Sequence, residues 1–328
     1  MQGIGVSIST NFKVKLRSWI PEQVWYVLRT INGILRLLGT ERMASITLRV
    51  KALKSALTFQ QKILHKIAFD KNPMLTIYAD KVKVREFVSD RVSTECLTNL
   101  FGVYTSIDSS VRESLPKNFV LKSNHGSGAS VICWEGAPRG KGLPNKKPPR
   151  IWKKYLIHPD DLVWEDLVNL SGHWMSVNYF WELGRFPEWA YKNIEPKILL
   201  EEVLTHNGGI PEDYKFFMIN GECVFIQVDV SRFIEHKRDL YSPNWDLLDA
   251  SFKFSTSGFL LERPVFLTEM LNLAKSLSVG IDFIRVDLYR TDNGIKFGEL
   301  TNYPEGGLAD LKPKELSIEF AKNWVQNY

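Results

Sequence analysis

The chain has 328 residues, 44% of them apolar and 24% charged, which is typical of a globular protein of about two domains. Its three cysteines, Cys96, Cys133 and Cys223, are far apart and form no CxxC pair, so the sequence excludes a disulfide framework and predicts a reducing compartment, the cytoplasm. Residues 1–20 lack the apolar core of a signal peptide, and no run of about 20 apolar residues predicts a transmembrane helix.

The net charge of +5 hides a strong asymmetry along the chain. Residues 1–66 carry eleven Lys or Arg and two acidic residues, a charge of +9, so the remainder carries −4. Apolar residues recur every three or four positions in segments 24–38 and 46–64, which predicts two amphipathic helices with basic outer faces. Such helices either lie on an anionic membrane surface or dock on the rest of the protein through an ordinary solvated face. Nucleic acid is not an expected partner, because no nucleic-acid-binding motif accompanies the charge.

A glycine-containing loop follows the first predicted strand of the chain. Strands over 119–122 and 131–134 flank the loop 123–130, and Lys122 ends the first of them. Glycines let backbone N–H groups approach phosphate oxygens, and a lysine adds positive charge, so the segment suits a nucleotide phosphate. It is not a Walker A loop, because no Gly-Lys-Ser/Thr follows and no helix opens there. An ordinary glycine-rich β-turn is the alternative.

The remaining elements mix helices and strands. Residues 151–193 are rich in aromatics and are predicted to be mostly helical. A strand over 198–204, a hairpin over 214–230 that turns at Asn220-Gly221, and a helix over 262–278 follow. Helices first, and then strand pairs mixed with helices, indicate an α+β fold.

The last predicted hairpin, over 281–301, carries two carboxylates and an arginine. If its turn is the three-residue loop Asp292-Asn293-Gly294, Asp287 lies opposite Glu299 on one face of the hairpin. A two-residue Asn-Gly turn would shift the register by one and place the two carboxylates on opposite faces. The paired arrangement brings together two hard oxygen ligands beside Arg285, as Mg²⁺ between phosphates requires. A surface hairpin with cross-strand charges is the alternative.

Six segments of the sequence, in this order, resemble the TupA-like ATP-grasp family, whose members occur among bacterial cell-surface polysaccharide genes. They extend from about residue 70 to 310, so the resemblance covers most of the chain and leaves out the basic first 66 residues. They read KNPMLTIYADKVKVREFV, LPKNFVLKSNHGSG, YKNIEPKILLEEVL, PEDYKFFMINGE, RFIEHKRDLYSPNW and RVDLY…FGELTNYPEGG. The resemblance implies an ATP-grasp fold with a pre-grasp helical segment (71–116), a glycine-rich-hairpin subdomain with an aromatic helical insert (117–204) and a catalytic subdomain with the metal-binding hairpin (205–328). The basic helical N-terminal region (1–70) precedes it.

The resemblance also implies residue roles in binding the cofactors ATP and Mg²⁺. Asp287 and Glu299 match the metal-bridging carboxylates. The common third ligand is the Asn of Glu-x-Asn, but Thr301 stands at that place and Asn302 comes one residue late, so either could complete the metal site. Arg285 would steady the acylphosphate and the tetrahedral intermediate. Four groups of residues would hold the nucleotide. The phosphate-contacting lysines would be Lys81 and Lys122, and the loop over the phosphates would be His125, Gly126, Ser127 and Gly128. The adenine hinge would be Glu201, Glu202, Val203 and Leu204, and the ribose-binding acid would be Asp213.

Two further arginines are candidates for the acceptor end of the site. Arg232 and Arg238 suit a carboxylate clamp, because a guanidinium binds a carboxylate through two hydrogen bonds, and a surface charge cluster is the alternative. His236 is interpreted as a structural or surface histidine rather than as the base that deprotonates an amine.

The resulting hypothesis is an ADP-forming carboxylate–amine ligase that acts through an acylphosphate. The resemblance implies a uronic acid of a bacterial surface polysaccharide and an amino acid as substrates. If the glycan is lipid-linked, residues 1–66 would bind the enzyme to the inner face of the cytoplasmic membrane. An ATP-dependent sugar phosphotransferase and a non-catalytic nucleotide-binding scaffold are the alternatives; the first would release no amide, and the second would show no metal-dependent turnover.

Overall fold

The structure, a computed structural model, describes residues 56–148, 150–181, 188–230 and 236–328. The first predicted basic helix and Arg232 lie outside these residues, and the second basic helix overlaps them only from residue 56. None of the helices within the described ranges is long and apolar enough to span a bilayer.

The described residues form helices and strands in the mixed order expected of an α+β fold. The helices are α1 (Phe59–Phe69), α2 (Met74–Ala79), α3 (Val84–Arg91), α4 (Ser109–Ser114), α5 (Trp164–Met175), α6 (Leu267–Ser278) and α7 (Lys314–Ala321). The strands are β1 (Leu100–Tyr104), β2 (Phe119–Ser123), β3 (Ser130–Cys133), β4 (Lys154–Ile157), β5 (Ile198–Glu201), β6 (Asp213–Ile219), β7 (Glu222–Val230), β8 (Lys237–Tyr241), β9 (Ser251–Phe252), β10 (Phe283–Thr291), β11 (Gly294–Thr301) and β12 (Leu311–Lys312).

The smaller of the two large sheets contains the predicted glycine-rich hairpin. Its strand order is β1-β5-β2-β3-β4, with β3 and β4 parallel and the other neighbours antiparallel. Leu121 and Val131 of the hairpin pack in one core with Leu200 of β5 and with the inner face of α5, which includes the fully buried Trp174. The hairpin is therefore held at the edge of a packed layer, with Lys122 opposite Ser130.

The larger sheet, with the order β11-β10-β6-β7-β8, is antiparallel throughout and contains both later predicted hairpins. The turn predicted at Asn220-Gly221 is confirmed, because Ile219 pairs with Glu222 and both turn residues have positive φ. A two-residue turn with positive φ at both positions matches the twist of a hairpin. Helix α6 packs its apolar side into the same core as β6 and β10.

Helix α1 packs in the core of the larger sheet, although the sequence assigns it to the basic N-terminal region. The ring of Phe59 lies 5.4 to 5.7 Å from the rings of Phe217, Phe225 and Phe283. Lys66 is fully buried and bonds to Asp70 (2.7 Å) and to Asp282 (2.5 Å). The charge of Lys66 is therefore neutralised inside the fold and is not available to an anionic partner.

Two predicted elements differ from the structure. Within the described part of 151–193, α5 is accompanied by strand β4 and by 3₁₀ turns, so the prediction of a mostly helical segment is wrong in part. The helix predicted over 262–278 begins at Leu267. Pro264 disfavours helical backbone at Arg263, and a turn closed by the Leu267 N–H on the oxygen of Pro264 (3.1 Å) precedes the helix.

Candidate active site

A cavity of about 500 Å³ lies between the two sheets. The smaller sheet contributes Lys122 of β2 and Lys154 of β4, and the larger sheet contributes Lys215 of β6 and the carboxylates of β10 and β11. Cations and acids from both sheets therefore face the same space. Of the residues predicted to form the site, the following line it: Lys81, Lys122, Ser127, Gly128, Glu201, Glu202, Val203, Leu204, Asp213, Arg238, Arg285, Asp287, Glu299 and Thr301.

The C-terminal hairpin has the predicted pairing of its carboxylates, but for a different reason. Asp287 lies opposite Glu299. The turn is the two-residue Asp292-Asn293, with Thr291 paired to Gly294, so the predicted three-residue loop is wrong. The register instead changes by one between Asp287 and Leu288, where Gly298 is an extra, unpaired residue on β11.

The residue at this bulge must be glycine because the ring of a tyrosine packs against it. A Cβ on Gly298 would lie 2.7 Å from the ring of Tyr289 and 3.1 Å from the backbone oxygen of Asp287. Any larger residue would push the ring or the strand away. The bulge, and with it the position of Glu299, therefore depends on the absence of a side chain at Gly298.

Arg285 bridges the two carboxylates. Its Nε and Nη2 donate to the two oxygens of Asp287 at 2.6 and 2.7 Å, and Nη2 also donates to Oε1 of Glu299 at 2.9 Å. Burial lowers the pKa of Arg285, but Asp287 and Glu299 outweigh this and raise it above its ordinary value. The guanidinium is therefore a fixed positive charge at the metal-binding hairpin, where a developing phosphate charge would need one.

Lys215, which sequence reasoning missed, extends this charge network onto β6. Its Nζ donates to Asp213 at 2.5 Å and to Oδ2 of Asp287 at 2.7 Å. Asp213, the predicted ribose-binding acid, lines the cavity, but it is buried and serves as a counter-ion of this lysine. The signal in the sequence was the alternation Asp213, Lys215 on one face of a strand that pairs with β10.

The donors present fit a divalent cation. Burial raises the pKa of Glu299, but Arg285, Lys81 and Lys215 outweigh it and lower the pKa to about 2, so the carboxylate is ionised at neutral pH. Its Oε1 takes the contacts from Arg285 and Thr301, which leaves Oε2 for a ligand. Both oxygens of the neighbouring Asp287 are bonded to Arg285, and one is also bonded to Lys215, so Glu299 presents the open hard oxygen of the kind that Mg²⁺ prefers.

Thr301 and Asn302 have different environments. Thr301 lines the cavity, and its hydroxyl donates to Oε1 of Glu299 at 3.2 Å. Asn302 is buried, and its amide donates to the backbone oxygen of Leu75 in α2 at 2.8 Å. Of the two candidates for the third metal ligand, Thr301 is the one that the hairpin presents to the cavity.

On the smaller sheet, Lys122 is held by a buried carboxylate. Its Nζ lies 2.5 Å from Oε2 of Glu201, whose Oε1 is 3.2 Å from Nη1 of Arg85. Glu201 is only 3% exposed, so its side chain is a counter-ion for two cations rather than a group free to read adenine. The next residue is fixed to β1: Glu202 N–H donates to the oxygen of Asn99, and Oε1 of Glu202 accepts from Asn99 N–H.

Lys81 enters the cavity from the turn after α2. Its Nζ donates to the backbone oxygen of Gly126 at 2.5 Å, which connects it to the glycine-rich loop. Burial lowers the pKa of Lys81, an effect opposed by Glu299 and reinforced by Lys122. Lys81 therefore faces both predicted halves of the site, the phosphate lysine of β2 and the carboxylate of β11.

The glycine-rich loop is divided between the cavity and the core. Ser127 and Gly128 line the cavity. His125 does not: it is 1% exposed, and its Nε2 lies 3.0 Å from the oxygen of Trp174 and 3.1 Å from that of Val177. A Cβ on Gly126 would lie 2.2 Å from the ring of Trp152, so this glycine makes room for packing.

The prediction that the loop from His125 to Gly128 covers the phosphates is therefore corrected to Ser127 and Gly128. The helix and loop that surround the ring of His125 come from far along the chain, in the aromatic segment. Nothing in the local sequence showed that this histidine would be buried.

At the other end of the cavity, Arg238 is already engaged by protein groups. Its Nε donates to Asp229 at 2.7 Å, and its Nη1 donates to Glu305 at 3.0 Å and to the oxygen of Phe252 at 3.3 Å. Because the guanidinium is only 3% exposed and already has these acceptors, it organises two carboxylates and is not free to clamp an acceptor. Glu305 also accepts from Lys253 at 2.6 Å.

Glu305 is a cavity residue that the sequence interpretation left out, and His236, which was interpreted as a structural or surface histidine, also lines the cavity. Glu305 has a positive φ of 54°, a left-handed conformation that is uncommon outside glycine. Backbone strain of this kind often occurs at functional positions. The sequence signal available for Glu305 was its position in Pro-Glu-Gly-Gly, the segment that follows the metal-binding hairpin. The glycines of this segment allow an unusual backbone conformation.

The fold and the site together define an ATP-grasp protein: two sheets enclose a cavity with lysines on one side and an Arg–Asp–Glu hairpin on the other. The family described as "TupA-like ATPgrasp" matches residues 59–323, most of the chain, so the chain belongs to this family. The family and the ATP-grasp fold predicted from the sequence are confirmed. Family membership also supports the prediction of an ATP-grasp ligase.

Solved structures with a similar fold include several ligases, all at low identity. D-alanine–D-alanine ligase from Bacillus anthracis is 15% identical over 70% of this chain and 59% of that chain, with a TM-score of 0.36. The ATP-grasp ligase PsnB, complexed with a minimal precursor, is 11% identical over 70% and 53%, with a TM-score of 0.36. Phosphoribosylamine–glycine ligase from Thermotoga maritima is 10% identical over 74% and 55%, with a TM-score of 0.40.

The chain thus spans little more than half the length of each of these ligases. A comparison with curated proteins finds no significant match.

Proposed function

We propose that this protein is an ADP-forming carboxylate–amine ligase that works through an acylphosphate. The observation that carries the proposal is the convergence of charges from both sheets: Lys122 held by Glu201, facing Arg285 held between Asp287 and Glu299. A site of this kind stabilises phosphate charge that develops during transfer, which is the main task in phosphoryl transfer. The lysines that line the same space, Lys81, Lys154 and Lys215, add to this stabilisation.

In this proposal each cluster has its own task. Lys81 and Lys122, with the backbone of Ser127 and Gly128, hold the phosphates of ATP. Glu299 and Asp287 hold Mg²⁺, which would offset phosphate charge and orient the transferred group. A substrate carboxylate attacks the γ-phosphorus, which gives the acylphosphate and ADP. An amine then forms the C–N bond as the C–O bond to phosphate breaks, and Arg285 steadies the charge.

The substrates follow from the family resemblance, and we propose a uronic acid of a surface polysaccharide as the carboxylate and an amino acid as the amine. The acceptor end of the cavity is compatible with an amino acid, because Lys253 and Glu305 offer both charge signs there. Their charges nearly cancel, which suits a zwitterion better than a strongly anionic ligand.

The first experiment is calorimetry of Mg·ATP binding to the wild type, to Lys122→Ala and to Glu299→Gln. Each change should weaken magnesium-dependent binding about tenfold or more, because a hydrogen bond to a charged group contributes roughly 1.5–3 kcal/mol. Lys117→Ala is the matched control, since Lys117 forms an exposed 2.5 Å pair with Glu135 outside the cavity. Binding that is absent in the wild type, or equal in all variants, contradicts the nucleotide site.

The second experiment separates ligase from phosphotransferase. Wild-type enzyme with ATP, Mg²⁺, glucuronic acid and hydroxylamine should release ADP and form a hydroxamate, because hydroxylamine intercepts an acylphosphate. A phosphotransferase would instead give a stable sugar phosphate and no hydroxamate. A nucleotide-binding scaffold would release no ADP.

We also propose that the basic N-terminal region attaches the enzyme to the inner face of the cytoplasmic membrane. The support is the excess of basic residues in 1–55, which contain nine Lys or Arg and two acidic residues. The protein should sediment with anionic vesicles at low salt, and removing residues 1–55 or adding salt should abolish this. Equal sedimentation of the full-length and the truncated protein contradicts the proposal.

A further inference from the structure

His236 lies at the acceptor end of the cavity, directly before β8. Its Nε2 is 3.1 Å from Oδ1 of Asp229 and is shielded from solvent, whereas the side chain as a whole keeps 26% of its surface exposed. The ring stacks on Phe254 with a centroid distance of 4.0 Å and an interplanar angle of 30°. The imidazole is thus flanked on two sides, and because Nε2 is buried against Asp229, Nδ1 is the nitrogen through which the ring would act on a ligand.

Asp229 is a suitable partner for an imidazole that gains a proton. It is 4% exposed, and it accepts hydrogen bonds from Arg238 (2.7 Å) and from Gln227 (3.1 Å). Burial raises the pKa of Asp229, but Arg238 outweighs it and lowers the pKa, so the carboxylate is ionised. A buried carboxylate this close to a histidine stabilises the imidazolium, which is one task of the aspartate in the triads of hydrolytic enzymes.

The charges around this histidine come from four segments of the chain, and they are nearly balanced. Asp229 and Arg238 face it from β7 and β8, and Lys253 and Glu305 lie in the same end of the cavity. Two acids and two bases therefore surround the ring among the described residues. This end of the cavity therefore lacks the excess of cations that the lysine-rich end has.

The strand pairing places His236 and Asp229 at a distance from the metal-binding hairpin that a bound substrate could span. Asp213 on β6 lies opposite both Tyr289 on β10 and Asp229 on β7, and Asp229 lies opposite Arg238 on β8. Two strand spacings of about 4.8 Å separate β10 from β7, so Asp229 lies roughly 10 Å across the sheet from the strand that carries Asp287. An acylphosphate held by Arg285 and an amine beside His236 would fill the space between them.

We propose that His236 is the base for the second step of the reaction, with Asp229 as its positioning residue. Nδ1 of His236 takes one proton from the ammonium group of the amino acid, which frees the lone pair that forms the bond to the acyl carbon as the C–O bond to phosphate breaks; the departing phosphate takes the second proton that the nitrogen loses. The phosphate leaves with the electrons of the C–O bond, and the imidazolium is stabilised by Asp229. This inference rests on the proposed ligase function, and it assigns a role that the sequence interpretation withheld from this histidine.

The test compares two nucleophiles in one enzyme. Hydroxylamine is largely unprotonated at neutral pH and needs no base, whereas the ammonium group of an amino acid does. With ATP, Mg²⁺ and glucuronic acid, His236→Gln should form hydroxamate within about threefold of wild type. With a mixture of the twenty amino acids as acceptors, its amide formation should fall about 10²- to 10⁴-fold, the usual contribution of general base catalysis.

The pH dependence gives a second, independent readout. In the wild type, the ratio of amide to hydroxamate should fall only once the pH is low enough to protonate the base, because a protonated base cannot accept a proton from the ammonium group. In His236→Gln the ratio should instead fall at every step of decreasing pH, because only the unprotonated amine can then attack. Asp229→Asn should reduce amide formation more than hydroxamate formation, since it removes the charge that stabilises the imidazolium.

The control is His206→Gln. His206 also faces an aspartate, with Nδ1 3.2 Å from Oδ1 of Asp292, but it does not line the cavity, so both products should be unchanged. A proportional loss of hydroxamate and amide in His236→Gln would assign His236 a structural role and overturn the inference. Unchanged amide formation would overturn it as well. Failure of the wild type to form any hydroxamate would instead overturn the ligase function itself, and this base with it.

Discussion

Lys122 and Glu201, which are 79 positions apart in the chain, form a 2.5 Å ion pair between adjacent strands of the smaller sheet. Glu201 also contacts Arg85 of α3 and is almost fully buried, while the two cations keep 18–19% of their side-chain surface exposed. The pair therefore does two things. It holds the lysine amine at the cavity wall, and it connects the glycine-rich hairpin to the strand that leads into the hinge.

Replacing Glu201 by Gln should lower the free energy of unfolding by about 2–3 kcal/mol. This is less than the roughly 3–5 kcal/mol expected for a fully buried pair, because Lys122 and Arg85 keep contact with water after the charge is lost. Chemical denaturation of Glu201→Gln measures the change. The matched control is Glu135→Gln, which removes the exposed 2.5 Å pair with Lys117 and should leave the free energy of unfolding nearly unchanged. Equal effects of the two changes would contradict the structural role of Glu201.

Gly298→Ala should disturb the metal-binding hairpin. Its Cβ would lie 2.7 Å from the ring of Tyr289, so the bulge must shift and move Glu299 away from Asp287. A displacement of about 1 Å at a catalytic group can reduce the rate about 100-fold. We expect ATP turnover to fall by about that factor, and the Mg²⁺ concentration for half-maximal turnover to rise. Gly142→Ala, at a glycine whose added Cβ meets no atom within 4 Å, should leave both quantities unchanged. Normal Mg²⁺ dependence in Gly298→Ala would contradict the importance of the bulge.

The sequence predicted the pairing of Asp287 and Glu299, because alternation along two strands and one turn limit the possible registers. It could not predict the route to that pairing. Whether Gly298 is paired or bulged depends on the ring of Tyr289 packing over it, a contact that local propensities do not contain. The local pattern therefore identified the chemistry of the hairpin and missed the residue that sets its geometry.

Residues whose role depends on distant partners were the hardest to predict. His125 is adjacent to Gly126 in a loop that resembles a phosphate-binding loop, yet the backbone oxygens of Trp174 and Val177, some 50 residues later, accept its ring N–H and bury it. In the sequence alone, Arg238 resembles a free carboxylate clamp, whereas in the fold it forms ion pairs with Asp229 and Glu305. Partners this far apart become neighbours only through tertiary structure.

The affinity for Mg·ATP should fall as the pH rises. This fall should begin at a lower pH than it would if an ordinary lysine were losing its proton. Burial lowers the pKa of Lys81 from the ordinary lysine value of about 10.4, so this ammonium loses its proton early as the pH rises. Phosphate binding favours the charged form, so binding weakens as the pH rises through the lowered pKa. Calorimetry from neutral pH to about pH 10 measures the effect.

Lys81→Arg should flatten this pH dependence, because a guanidinium keeps its charge throughout the range. Lys83→Arg is the control, since Lys83 is exposed two residues later and does not line the cavity. The same pH dependence in wild type and Lys81→Arg would show that another group is responsible.

Thr301 and Asn302 should have separable roles, although they are adjacent. Thr301→Ala removes a hydroxyl that contacts Oε1 of Glu299 in the cavity, so the Mg²⁺ concentration for half-maximal turnover should rise and the free energy of unfolding should change little. Asn302→Ala instead leaves the buried oxygen of Leu75 without its donor, which should lower the free energy of unfolding by about 1–3 kcal/mol. The folded fraction of Asn302→Ala should keep the wild-type Mg²⁺ dependence, because this side chain is directed at α2 and does not line the cavity. A shift in Mg²⁺ dependence for Asn302→Ala, with none for Thr301→Ala, would reverse the assignment and make Asn302 the third ligand.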